Sequence, residues 1–214
     1  MIVDLPQVLR PAERERLRAS LDGALALAQR RGGWRAYRDA VFSRVLLDTG
    51  LRVAEACALL RADARVQGGE RRLVVRRGKG GRKREVRLPE TLRDTLRQYL
   101  DAFPADDGEA PLFPGRRQGP AIARVTGWRV FKAALRAVGL DAPRRGCHAA
   151  RHGLGVALYA QTKDLRLVAA QLGHTDLRST MIYTEPLPED VDAALDAVSR
   201  SAAAEAPRRA RGAR

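Results

Sequence analysis

Two short β-favouring runs, Leu73-Val74-Val75 and Glu85-Val86-Arg87-Leu88, stand alone in the middle of a chain that otherwise reads as helix. They are separated by glycines and dense positive charge, and segments with helical spacing flank them on both sides. The sequence therefore predicts a mainly α fold with a small antiparallel sheet, either a hairpin or three strands.

The helical segments are bounded by recognisable stops. Pro11 to about Arg31 is rich in Ala, Leu, Arg and Glu and ends at Gly32-Gly33. Trp34 to about Asp48 ends at Thr49-Gly50, and a third helix is expected from about Val53 to Leu60. After the strands, Leu92, Leu96, Tyr99 and Leu100 recur at helical spacing until the Pro- and Gly-rich loop 101–120. Further helices are expected over Val125 to Val138 and Ala149 to Ala160, with a short one capped by Asp164 and stopped by Gly173. Beyond Pro186, acids occupy a first turn and Val191, Ala194, Leu195 and Val198 share one stripe. This gives an N-terminal helical segment over 1–33, a main domain over 34–200 and a basic tail, 201–214, expected to be disordered.

Charge narrows the function. Forty Lys and Arg against twenty-five Asp and Glu leave a formal charge of +15, which a soluble enzyme of small neutral metabolites has no reason to carry; a polyanionic partner is implied. Neither cysteine, Cys57 or Cys147, lies in a zinc-ligand spacing, and no stretch approaches eighteen consecutive apolar residues. The N-terminus lacks the apolar core of a signal peptide, so a reduced, cytoplasmic chain with no membrane span is expected.

Five elements carry the chemistry: TGLRVAE (49–55), RGKGG (77–81), HAARH (148–152), LGHTD (172–176) and IYT (182–184). Each alone is weak, since a Gly-Lys-Gly is usually a turn and a single His is usually structural. Together they place all three histidines of the chain in the order Arg, Lys, His-x-x-Arg, His, Tyr. In that order, and in the pattern LGHxxxxxTxxYT, the chain resembles the tyrosine recombinase (phage integrase) family over roughly 41–198.

The resemblance implies a family catalytic-domain fold and a role for each matched residue. Arg52 and Arg151 would grip the scissile phosphate, His174 would donate to the same oxygens, and His148 would handle the proton of the nucleophile. Tyr183 would be that nucleophile, and Lys79 would protonate the departing 5′-oxygen. Two guanidinium forks suit the charge that builds on non-bridging oxygens in a pentavalent transition state. Glu55 would support the site from behind and His152 would orient or pack. The basic hairpin, through Arg76, Arg77, Arg82, Lys83 and Arg84, fits salt-sensitive contact with the DNA backbone.

The implied function is site-specific recombination of double-stranded DNA through a 3′-phosphotyrosine intermediate, by a homotetramer on DNA joined through a C-terminal helix, 187–200. No cofactor is implied: exchanging one phosphoester for another needs neither ATP nor an activating metal, and the sequence holds no GxxxxGK[ST] loop. No membrane or small-molecule partner is expected. Two other readings keep the same fold: a non-catalytic DNA-binding relic or regulator, and strand relaxation of the type IB topoisomerase kind. The chain departs from the family in carrying only 48 residues before TGLR, as expected of either a fragment or a short member, in Arg87 where Pro often precedes the Leu, and in Gly153-Leu154-Gly155 after HxxRH, glycines expected to loosen that helix.

Overall fold

A computed structural model describes residues 8–76, 83–105, 107–117, 119–143, 145–174, 178–181, 191–192, 195–198 and 200, with backbone alone at 178 and 179. The architecture is helical with one small sheet. Helices α1 (Pro11–Arg31) and α2 (Trp34–Thr49) are followed by a short α3 (Val53–Cys57), strands β1 (Ala64–Arg65), β2 (Arg72–Val75) and β3 (Arg84–Arg87), and helices α4 (Glu90–Ala102), α5 (Arg124–Ala137), α6 (Cys147–Thr162), α7 (Leu165–Leu172) and α8 (Arg178–Met181).

Helix α2 is the hub. It packs against α1, α4, α5 and α6, and it is buried on every face from Val41 to Thr49, as expected of a helix whose apolar residues are not confined to one stripe. The charged residues it does bury have partners, as burial of a charge demands. Arg44 Nε lies 2.9 Å from Asp48 Oδ2, the other carboxylate oxygen of Asp48 takes Arg18 Nη2 at 2.8 Å, and Arg44 also pairs with Asp22. Against α2, helix α1 lays down Leu17, Leu21, Leu25 and Ala28, a stripe at helical spacing within the main core. Each such leucine contributes roughly 1.5–3 kcal/mol by leaving water.

Glycines end these helices where the sequence places them: Gly32 and Gly50 both adopt left-handed φ, +67° and +68°. Helix α3 stops at Cys57, short of the expected Leu60. Leu59 turns inward to full burial and Leu60 bridges to Pro111, so the chain is drawn off the helix by the 101–120 loop, and Asp63 then accepts the Leu60 N–H at 2.9 Å.

The sheet has three antiparallel strands in the order β1-β2-β3. Leu73 pairs with Val86, and both are fully buried, which fixes the register by pointing one face at the core. Helix α7 begins at Asp164, whose side chain accepts from the N–H groups of Arg166 and Leu167, and it ends at Gly173 with φ +70°. The tail expected to be disordered, 201–214, lies outside the described residues.

Gly153 has a purpose that propensity alone does not reveal. A Cβ there would sit 2.4 Å from the carbonyl oxygen of Leu9, and the N–H of Leu9 donates to Ala149 O at 3.3 Å. The glycine lets residues 8 and 9 lie directly on α6.

Candidate active site

Three of the sequence motifs interlock at Gly50. Its left-handed backbone admits no Cβ, which would fall 2.6 Å from Leu172 Cδ2 and 3.1 Å from Leu154 Cδ2. The carbonyl of Gly50 accepts Nη1 of Arg151 at 2.7 Å, while Nη2 of Arg151 donates to Leu172 O at 2.6 Å. A single buried guanidinium on α6 thus ties the residue two before Arg52 to the residue two before His174.

Arg52 caps α3 at its N-terminus, where the Glu55 carboxylate reaches back to the Arg52 N–H at 2.9 Å and also meets Arg52 Nη1 at 3.0 Å. The same carboxylate receives both terminal nitrogens of Arg84 at 2.9 Å. Burial pushes the Glu55 carboxyl up, but the Arg84 and Arg52 hydrogen bonds outweigh it and hold the group below the usual carboxylate range.

His174 leaves α7 just past Gly173 and places Nδ1 2.9 Å from Thr180 Oγ1. Thr180 is fully buried. Burial, and then Arg151 and Arg52, push the His174 imidazole down to about 4, so it is neutral at ordinary pH. His148, on the first turn of α6 and largely exposed, is held below its ordinary value by partial desolvation and by the same two arginines. His152 lies one turn on, ring centroids 6.5 Å apart, and burial with the neighbouring His148 and Arg151 lowers it too.

Arg52, Glu55, His148, Arg151, His152 and His174 therefore share one neighbourhood, assembled from α3, α6 and the end of α7. Arg52 and Arg84 share the single Glu55 carboxylate, and with Arg151 they surround His174, which leaves positive charge for an anion. A cleft beside His148, lined by Val53, Arg124, Trp128, Arg145 and Gly146, opens next to it. Among the described residues, no group of three His, Cys, Asp or Glu lies close enough to hold a metal ion. Both cysteines are buried free thiols, and burial pushes Cys57 up to about 11 and Cys147 up to about 12.

The basic hairpin divides. Lys83 is exposed, whereas Arg76 is spoken for by Asp63 at 2.7 Å and Glu109 at 2.8 Å, and Arg84 by Glu55. Lys79, Arg77, Arg82 and Tyr183 lie outside the described residues. Sequence reasoning gave no role to Thr180, although it is the Thr of LGHxxxxxTxxYT, nor to Gln171, whose side chain accepts from Arg87 N at 3.2 Å and donates to Arg87 O at 3.1 Å, fastening α7 to β3.

With this geometry in view, the phage integrase family model matches residues 9–190. The chain belongs to that family. Tyrosine recombinase XerC of Methylobacterium sp. (strain 4-46) is 39% identical over 159 residues, covering 72% of this integrase-family chain and 48% of that protein. Tyrosine recombinase XerD of Pseudomonas putida is 33% identical over 190 residues, covering 85% and 60% respectively. Among solved structures, the XerH site-specific recombinase bound to a palindromic difH substrate in a post-cleavage complex superposes with a TM-score of 0.73 at 25% identity, over 92% of this chain and 53% of that one. The chain spans about half the length of the curated relatives it matches.

Proposed function

We propose that this chain is the catalytic part of a site-specific DNA recombinase that cuts and rejoins duplex DNA through a 3′-phosphotyrosine intermediate. The observation that carries the reading is the Arg151 guanidinium, whose bonds to Gly50 O and Leu172 O bring Arg52 and His174 to one anion-attracting spot. A phosphodiester seated there would have its non-bridging oxygens met by the guanidiniums of Arg52 and Arg151 and by neutral His174, with charge and donors in place before the transition state develops.

In this mechanism the Tyr183 oxygen attacks phosphorus and loses its proton toward His148, which is neutral and able to accept it. The bond from phosphorus to the 5′-oxygen breaks, and Lys79 protonates that oxygen as it leaves. Attack by the 5′-hydroxyl of a second strand reverses each step and frees Tyr183. The phosphoester is conserved throughout, so no ATP is consumed. The substrate is double-stranded DNA, and the assembly is a homotetramer on DNA whose protomers exchange the C-terminal segment 187–200.

The test is covalent capture. The protein is incubated with duplexes of randomised core sequence carrying a nick next to each cleavage position, and adducts are isolated under denaturing conditions and sequenced. Wild type yields an adduct at a defined site, and Tyr183→Phe binds that DNA in a gel shift but yields none. Adduct formation by Tyr183→Phe would move the nucleophile elsewhere, and DNA binding by wild type without any adduct would favour a non-catalytic regulator.

A further inference from the structure

Arg84 sits at the start of β3, paired with Val75, and its side chain is only 15% exposed. Its two terminal nitrogens meet the two oxygens of Glu55 at 2.9 Å each, a fork-to-fork pair. Oε1 of Glu55 is shared with Arg52 Nη1 at 3.0 Å, and Oε2 with the Arg52 N–H at 2.9 Å. The other flank of Arg84 lies on the backbone that leads into His174: a Cβ on Gly173 would come within 2.2 Å of Arg84 Nε and 2.5 Å of its Cδ. Nε itself is buried and has no hydrogen-bond partner among the described residues. Holding a guanidinium there leaves one donor unmet, a cost offset by the pair with Glu55.

We propose that Arg84 is a positioning residue, a strut that fixes Arg52 through Glu55 on one side and the His174 turn through Gly173 on the other. The inference rests on reading Arg52 and His174 as phosphate ligands, and it gives Arg84 a role inside the protein instead of on the DNA backbone. With Glu55 alone, the Arg52 charge would be matched one to one by a buried carboxylate. With Arg84 added, the carboxylate has its own bidentate partner, and Arg52 is oriented by Glu55 while its charge is left for an anion. Lysine cannot reproduce this, because a point charge offers no fork and no flat face to lie on Gly173.

The full unliganded chain decides the matter by NMR of arginine Nε–Hε groups, followed by titration with inorganic phosphate. In wild type the Arg52 Nε–Hε signal is sharp and shifts with phosphate. Arg84→Lys, which keeps the charge, broadens or moves that signal before any phosphate is added and weakens phosphate binding about tenfold. Adding Arg84→Lys to Arg52→Ala weakens binding no further than Arg52→Ala alone, because the strut acts only through the residue already lost. An unchanged Arg52 signal and unchanged phosphate affinity in Arg84→Lys would overturn the proposal. If Arg84→Lys does not fold, Glu55→Gln opens the same clamp, and an undisturbed Arg52 signal in that variant overturns it equally. Absence of phosphate binding in wild type would count against the phosphate-site reading, while the Arg52 signal would still decide the strut.

Discussion

Arg14, on the first helix, donates from Nη1 to the carbonyl oxygen of Ala150 at 2.9 Å, one residue before Arg151. Its Nη2 donates to Leu47 O at 2.8 Å, so a single buried side chain joins α1, α2 and α6. Burial, relieved in part by nearby Asp48, pulls the guanidinium down to about 10, which still leaves it charged at neutral pH. The first helix therefore does more than cover the core. It braces the backbone from which the central arginine of the candidate site projects.

Replacing Arg14 by Leu should cost about 3 kcal/mol of folding free energy, because the carbonyls of Ala150 and Leu47 each lose a buried donor while little apolar volume is lost. Urea denaturation followed by circular dichroism measures it. A loss below about 1 kcal/mol would mean that water replaces the guanidinium without penalty.

Two glycine substitutions in helices should have opposite signs. Gly23 in α1 has nothing within 4 Å of the place an added methyl group would take, so Gly23→Ala should stabilise by about 0.5–1 kcal/mol through helix propensity. Gly153→Ala gains the same propensity but meets the Leu9 carbonyl at 2.4 Å, a backbone atom that cannot rotate away. The net result is a loss of roughly 1–2 kcal/mol. Paired melting curves of the two variants separate the effects, and a stabilised Gly153→Ala would show that residues 8–9 do not hold their place on α6.

These two positions show where sequence reading stops. The helix ends at Gly32, Gly50 and Gly173, the Asp164 cap and the β2–β3 pairing of a small antiparallel sheet were legible, because each is decided by residues within a few positions of itself, whereas the third strand, β1, was left open. That Arg52, Arg151 and His174 belong together was implied by the family resemblance, and the structure sets Arg52 and Arg151 near His174. Gly153 read as a weak point in its helix because its reason, Leu9, lies far away in sequence. Arg84 read as one more cation on a basic hairpin because its partner, Glu55, belongs to another motif 29 residues earlier. The early end of α3 was hidden in the same way, since Pro111 draws Leu60 off the helix. Pairings across the fold leave no local pattern.

Stability should fall as the solution is acidified below neutrality, and His174 should account for a measurable share. Its folded value is depressed to about 4 from an ordinary 6.5, so between those limits the unfolded chain binds the proton and the folded chain does not. The contribution is fully present above pH 6.5 and is lost as pH falls toward 4; allowing for a partly solvated ring, it amounts to roughly 1–2 kcal/mol. His148 and His152, also lowered, add with the same sign. Denaturant titrations of wild type and His174→Asn at pH 7 and pH 5 should show a smaller drop in the variant. Equal drops would place the proton uptake on other groups.

Residues 191–192, 195–198 and 200 are helical, and Val191, Leu195 and Val198 are 41%, 60% and 67% exposed. Spaced four and three apart, these exposed apolar residues match one face at helical spacing, and so short an apolar segment gains stability in water only when something covers that face. On the proposed tetramer the cover is a neighbouring protomer, and because the segment follows Tyr183 by only a few residues, docking it would also fix where the nucleophile stands. Deleting residues from Leu187 onward should leave binding to a single half-site within about threefold of wild type, since the candidate phosphate ligands and the basic hairpin remain, while cooperative filling of two half-sites is lost. Gel-shift titrations on one-site and two-site duplexes measure both quantities. Cooperativity that survives the deletion would show that the protomers meet through another surface.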